Sequence, residues 1–420
     1  MNRIAWLLLA LAACTRSAEI GKGYSKVLQT LEDPPTKLDI LFVIDDSPSI
    51  SDDQTQLVEA ARTELFSQLR SMTGELPDLH IAVASTSFDV LIHGVPTVGC
   101  DATPNGRFVS GHWYNGTPCD AVQGSYLIDE PDGSGGRMIN YTGTIEDAFA
   151  CMATTGYDGC WVEQPLEGMR RALTLPENAG FLRDDAMLLV VFLGDEDDSS
   201  GTDPSMWPAV DPFRDNDRWF EYGVTCTPDD ASLGPRTDCQ PRTQSTTVSP
   251  IEPYVDFLRG LKSDPSLVMV AGIMPPAGPV SVILDNDQSV PGADGSVALD
   301  VACTPPGRTG VWPSPRMNAF IPQFPARYVL TSLCDDSMEL RVRQIAGSVS
   351  GVMTNRPCLL TARGSAPDRC RAFDVDERGA RTRVPARFVV DDAMCGYTPS
   401  HLRADVSVPA GHRVEVECLQ

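Results

Sequence analysis

Two short stretches of this chain are almost wholly large and apolar, and each runs directly into acid. Leu38-Asp39-Ile40-Leu41-Phe42-Val43-Ile44 is followed by Asp45-Asp46, and Met187-Leu188-Leu189-Val190-Val191-Phe192-Leu193 by Gly194-Asp195-Glu196-Asp197-Asp198. A strand with one wet face alternates apolar and polar residues. A run without alternation is covered on both faces, the situation of a strand inside a parallel sheet. Helices then have to pack on both sides of that sheet.

The remaining pattern supplies them. A helix is expected over 51–72, where Ser51 and Gln54 have capping-box spacing and Leu57, Val58, Ala61, Leu65 and Leu69 form one stripe. Further helices are expected near 144–154, 163–175, 251–262 and 316–323, and a last one from a cap at Asp335 or Asp336 to about 347. Strands are expected at 79–86, 267–274 and 327–333. The fold class is therefore α/β, a doubly wound, mostly parallel, Rossmann-like sheet spanning 38–350. Three segments rich in Gly, Pro, Asn and Asp interrupt it, near 88–142, 199–249 and 275–326, and read as disulfide-pinned loop insertions. From 351 to 420 the pattern changes to short β-prone runs such as Arg387-Phe388-Val389-Val390, a small cysteine-containing β extension.

The amino terminus bears on compartment. Asn2 and Arg3 precede the apolar run 4–13, too short to span a bilayer but the length of a secretory signal's core. Leu11-Ala12-Ala13-Cys14 resembles a bacterial lipobox, which implies a signal peptide 1–13 and an acylated Cys14 at the head of a tether, 14–37. The absence of Asp after Cys14 resembles lipoproteins of the outer membrane, facing either the periplasm or the outside. Several acyl chains anchor a protein far more firmly than one. The other twelve of the 13 cysteines are an even number, as a disulfide framework in an exported chain requires. They group as Cys100 with Cys119, Cys151 with Cys160, Cys226 with Cys239 and Cys303 with Cys334, followed by Cys358, Cys370, Cys395 and Cys418. Pairing between neighbours is the expectation. No C-x-x-C spacing occurs, which disfavours a zinc ribbon or a thioredoxin-like centre.

In an open parallel sheet, ligands bind beyond the carboxyl ends of the strands, where both acidic clusters lie. Carboxylates gathered there repel one another, and a hard cation with oxygen ligands relieves the repulsion. Asp45-x-Ser47-x-Ser49 after a buried strand resembles the D-x-S-x-S motif of the metal-ion-dependent adhesion site in von Willebrand factor A domains. Leu193-Gly194-Asp195-Glu196 resembles that family's later strand with its metal-associated Asp. The resemblance implies that Ser47 and Ser49 bind Mg2+, or Mn2+ or Ca2+, through their hydroxyls, and that Asp45 and Asp195 do so directly or through water. The family's middle-loop Thr is missing. Glu163 stands at that place, either as a charge at a helix start or as a substitute oxygen ligand, and Thr154 and Thr155 precede the turn.

The resemblance implies a cation-dependent, adhesion-type protein-binding role, with a partner's Asp or Glu carboxylate completing the ion's shell. Two other classes remain: a structural component of an envelope assembly that docks without metal, and a metal-dependent hydrolase. The expectation is no enzyme. The five histidines form no H-E-x-x-H pair, and there is neither a P-loop nor a G-x-S-x-G elbow. Asp285-Asn286-Asp287-Gln288-Ser289 starts like a calcium loop but has Val290 where the turn needs Gly. With 33 basic residues against 57 acidic ones the net charge is −24, which repels nucleic acid and anionic lipid.

Overall fold

The computed structural model describes residues 24–29 and 34–418, apart from 202–212, 214–216, 286–295, 355–357, 361–369, 391–400 and some shorter stretches. Residues 1–13, read as a signal peptide, Cys14 and Cys395 lie outside the described residues.

The protein is mixed α/β around a mostly parallel sheet. Its strands are β1 (Lys37–Ile44), β2 (Asp78–Ser85), β3 (Leu127–Pro131), β4 (Arg137–Ile139), β5 (Met187–Leu193), β6 (Val268–Met274) and β7 (Tyr328–Ser332). They lie in the order β7-β6-β5-β1-β2-β3-β4. The first five in that order are mutually parallel, and β3 and β4 are antiparallel at one edge. From β1 the chain moves outward through β2 to β4, then returns to β5 on the other side of β1. The direction of winding thus reverses between β1 and β5, the point at which such sheets open a crevice at their carboxyl ends.

Alternation along β1 sends Leu38, Ile40, Phe42 and Ile44 into one core and Leu41 and Val43 into another. Over the first face lie α1 (Ser51–Ala60), a π-helical turn Ala61–Leu65, α2 (Phe66–Ser71), α3 (Ile145–Ala153) and, late in the chain, a long helix. Over the second lie α4 (Pro165–Ala172), α6 (Glu252–Gly260) and α7 (Pro315–Phe320). Between α4 and α6, α5 (Arg218–Gly223) belongs to a third, smaller core. The long helix is α8 (Met338–Met353). Asp39 is the exception inside β1. Fully buried, it accepts hydrogen bonds from the Arg183 backbone N and Nε, both at 2.8 Å.

Several expectations need correction. The 88–142 segment is not wholly an insertion, since β3 and β4 are part of the central sheet. The other two insertions combine: Val224–Thr227, Gly234–Pro241, Val280–Leu284 and Val297–Leu299 form one four-stranded antiparallel sheet. Ser51 and Gln54 make no capping box, because Pro48–Ile50 is already a helical turn and α1 simply continues it. The cap of α8 is Ser337, whose Oγ accepts from Leu340 N.

Neighbour pairing of cysteines holds for Cys226–Cys239 and Cys303–Cys334 but fails for the first four, where the bonds are Cys100–Cys160 and Cys119–Cys151. The reason is that the 88–142 segment folds back over the sheet's carboxyl edge. Gly99 lies so near the 158–159 backbone that a Cβ there would sit 3.0 Å from Gly159 O.

Part of the segment read as a tether is a strand. Tyr24–Gln29 pairs antiparallel with Arg413–Cys418, which pairs with Cys370–Val375, which pairs with Arg381–Val384. Cys370 is disulfide-bonded and lies in register with Cys418. No helix among the described residues is long and apolar enough to cross a membrane.

Candidate functional site

The site forms where β1 and β5 end side by side. The Asp45 backbone N donates to Leu193 O at 2.9 Å, which locks the two strand ends together. The chain then turns back on itself, and Ser47 N donates to Asp45 Oδ1 at 2.8 Å. The short helical turn at Pro48–Ile50 presents the two serines on the same side, with their Oγ atoms 3.0 Å apart. Ser49 Oγ donates to Asp195 Oδ1 at 3.3 Å. Carboxylate oxygens of Asp45, Asp195 and Glu163 all lie within 4.8 Å of one another. The five residues singled out in the sequence therefore converge.

Their environment is dry. Asp45, Asp195 and Glu163 are 0%, 1% and 3% exposed. Burial raises all three above the ordinary carboxyl range, and the Asp45 charge adds to the rise at Glu163 and Asp195. Asp45 Oδ2 and Asp195 Oδ2 are buried without a hydrogen-bond partner among the described residues. Buried acceptors left unpaired are costly, and more so when charged. The donor set is all oxygen, three carboxylates and two hydroxyls, which suits a hard divalent cation.

Glu163 is delivered by a heavily fastened loop. Gly159 N donates to Asp46 O at 2.8 Å, Cys160 N to Ser87 Oγ at 2.8 Å, Gln164 N to Thr86 O at 3.0 Å and Ser199 N to Glu163 O at 2.8 Å. The Cys100–Cys160 bond ties the same loop to the preceding segment. Gly159 is required by close approach, since a Cβ there would lie 2.6 Å from both Asp46 Oδ1 and Ser87 Oγ. Gly159→Ala is expected to lose about 1–3 kcal/mol in a urea denaturation series, as overpacking does; an unchanged midpoint would contradict the tight loop.

The sequence reading overlooked some of the supporting residues. Gln54 Nε2 donates to Asp45 O at 3.2 Å, Thr155 Oγ1 at 2.8 Å and Gly156 O at 3.0 Å, bracing α1 against β1 and the loop after α3. This strut, not a ligand role, is where Thr155 is engaged. Asp46 turns away from the cluster and accepts from Ser87 Oγ at 2.8 Å and from Trp113 Nε1.

The later acids separate as well. Asp197 caps α7, accepting from Arg316 N at 2.8 Å and Met317 N at 3.0 Å. Burial lifts it to about 6, against the lowering pull of Arg316. Asp198 accepts from Arg316 Nη2 at 2.7 Å and from Leu166 N, at the start of α4, at 3.1 Å. Of the run 195–198, Asp195 alone joins the three-carboxylate cluster.

No family model matches the sequence. No curated protein matches it either. Among solved structures, similarity is found to the pilus adhesin SpaC of Lactobacillus rhamnosus GG, with 9% identity and a TM-score of 0.35 over 94% of this chain and 41% of that one. The pilus adhesin RrgA of Streptococcus pneumoniae has 10% identity and a TM-score of 0.31, covering 94% and 58%. Proximal thread matrix protein 1 of the mussel byssus has 9% identity and a TM-score of 0.31, covering 80% and 51%. This chain spans about half the length of these structures. At such scores the likeness assigns neither a family nor a role.

Proposed function

We propose that the protein is a cation-dependent protein-binding module of the von Willebrand factor A type, doubly wound over 38–350 and anchored through an acylated Cys14 in a bacterial outer membrane. The observation that carries the cation reading is the pair of buried, unpartnered oxygens, Asp45 Oδ2 and Asp195 Oδ2, beside a third carboxylate at the point where the winding reverses. The sheet order, with its antiparallel strand beyond β2, supports the fold assignment. The disulfides support an oxidising compartment.

In this reading Asp45, Asp195, Ser47 and Ser49 hold Mg2+, Mn2+ or Ca2+, and a partner's Asp or Glu carboxylate completes the shell. Such a contact is charge-assisted and directional, which gives selectivity to an otherwise acidic surface. The bound ion supplies positive charge that orients this carboxylate; the protein's own residues position the ion and exclude water from its rear. Calorimetric titration with each cation tests it. Wild type is expected to take up one ion per chain, and Ser47→Ala/Ser49→Ala to bind at least about tenfold more weakly. Loss of partner capture from envelope extracts on chelation is the companion result, and capture that persists unchanged in EDTA contradicts the reading.

A further inference from the structure

We infer that Glu163 is a built-in competitor for the acidic partner: its carboxylate takes the place at the cation that a partner's Asp or Glu would fill, and holds the site in a low-affinity state. The inference rests on the cation-dependent reading above and concerns how that site is regulated.

The charge count sets the problem. With Asp45 and Asp195 as the only acids, a divalent ion leaves the site neutral and ready to accept an anion. Glu163 brings a third carboxylate within the same 4.8 Å, is only 3% exposed, and leaves one net negative charge. An incoming carboxylate then meets repulsion in a water-poor setting, where charges are weakly screened. Two buried oxygens of the other acids, Asp45 Oδ2 and Asp195 Oδ2, stand unpartnered beside it. The ion would thus be satisfied from within the chain.

Glu163 is also unable to leave by loop motion. Its own carbonyl accepts from Ser199 N at 2.8 Å, and the next residue's N donates to Thr86 O at 3.0 Å. The disulfide at Cys160 holds the segment three residues earlier. Only rotation about the side-chain bonds can withdraw the carboxylate, so the competitor remains at high effective concentration. A site masked in this way for about 99% of the time binds its partner about a hundredfold more weakly than the open site.

The test uses the full chain as wild type, Glu163→Gln and Glu163→Thr. Gln keeps the size and removes the charge, and Thr supplies a short neutral hydroxyl. Mn2+ isotherms are recorded first, then binding of a labelled glycine-rich peptide containing a single aspartate at saturating Mn2+, with an asparagine peptide as control. The expected result is that both variants still load Mn2+, with reduced affinity, and bind the aspartate peptide at least about tenfold more tightly than wild type does. Equal or weaker peptide binding by the variants, or none by any form, overturns the proposal. Folded variants that fail to load Mn2+ at all also overturn it, because Glu163 would then be an obligatory ligand. Absence of Mn2+ uptake by wild type is a separate signature, which removes the cation reading itself.

Discussion

Replacing Arg316 by methionine is expected to cost about 3–5 kcal/mol of stability, the range for breaking a buried ion pair from one side. Arg316 is fully buried. Its Nη2 donates to Asp198 Oδ2 and to Ser249 O, each at 2.7 Å, its Nε to Asp198 O at 2.9 Å, and its Nη1 to Gly223 O at 3.2 Å. One guanidinium therefore joins the loop after β5, the end of α5 and the segment before α6. Methionine fills much of the volume but leaves the Asp198 carboxylate and three carbonyls, those of residues 198, 223 and 249, with lost donors. Lysine is a poor substitute, because a point charge cannot reproduce the planar fork. Urea denaturation followed by tryptophan fluorescence measures the loss, and Trp219 in the adjoining small core is a local reporter. Removing the acid as well, in Asp198→Asn/Arg316→Met, should recover part of the stability, since the penalty of an unpaired buried charge is then gone. A single-variant loss under about 1 kcal/mol would show that the contacts are not formed in solution.

Asp195→Asn is expected to have opposite effects with and without a cation. Asp45, Glu163 and Asp195 all have raised proton affinities in the folded protein, chiefly through burial. Between the ordinary carboxyl range and those raised values, the folded cation-free chain binds more protons than the unfolded chain. Its stability therefore rises as pH is lowered through that window and falls as pH is raised. Asn at 195 removes one of the mutually repelling charges, so the cation-free variant should be more stable than wild type at neutral pH and less dependent on pH. Adding Mg2+ or Mn2+ reverses the order. Wild type should gain about 2.7 kcal/mol at a hundredfold excess over the dissociation constant, and the variant little. Cation affinity of wild type should fall with pH, because protons and the ion compete for the same oxygens. Thermal unfolding at several pH values, with and without cation, gives all these quantities. An equal gain in both proteins would place the ion somewhere other than this cluster.

What could be read from the chain follows from how local each cause is. β1 and β5 were legible because strands buried on both faces have nearly continuous apolar sequence, broken in β1 by Asp39, and the D-x-S-x-S spacing put Asp45, Ser47 and Ser49 on one turn. β3 and β4 were not. They form a half-exposed antiparallel edge in which Asp129 is buried by pairing with Arg137 and accepting from Tyr141 Oη at 2.6 Å, partners that only the fold supplies. Gln54 looked like a capping residue because its spacing from Ser51 fits, yet the carbonyls it serves lie at residues 45 and 156. The acids 195–198 looked like one cluster. Arg316, which draws Asp198 away, is 118 residues distant, at the start of a short helix expected within an insertion. Cysteine connectivity failed for the same reason, since chain proximity says nothing about a segment that doubles back.

The antiparallel pairing of Tyr24–Gln29 with Arg413–Cys418 has a mechanical consequence if Cys14 is the point of attachment. Tension between the membrane and a partner held at residue 45 would travel along the covalent backbone through residues 14–45 alone, leaving nearly all of the remaining chain out of series. That load runs lengthwise through β1 along its own covalent backbone, so the hydrogen bonds joining β1 to β2 and β5 lie outside its path. A grip built at the tip of the innermost strand is thus joined to its anchor by covalent bonds, and the sheet can stay folded under the pull.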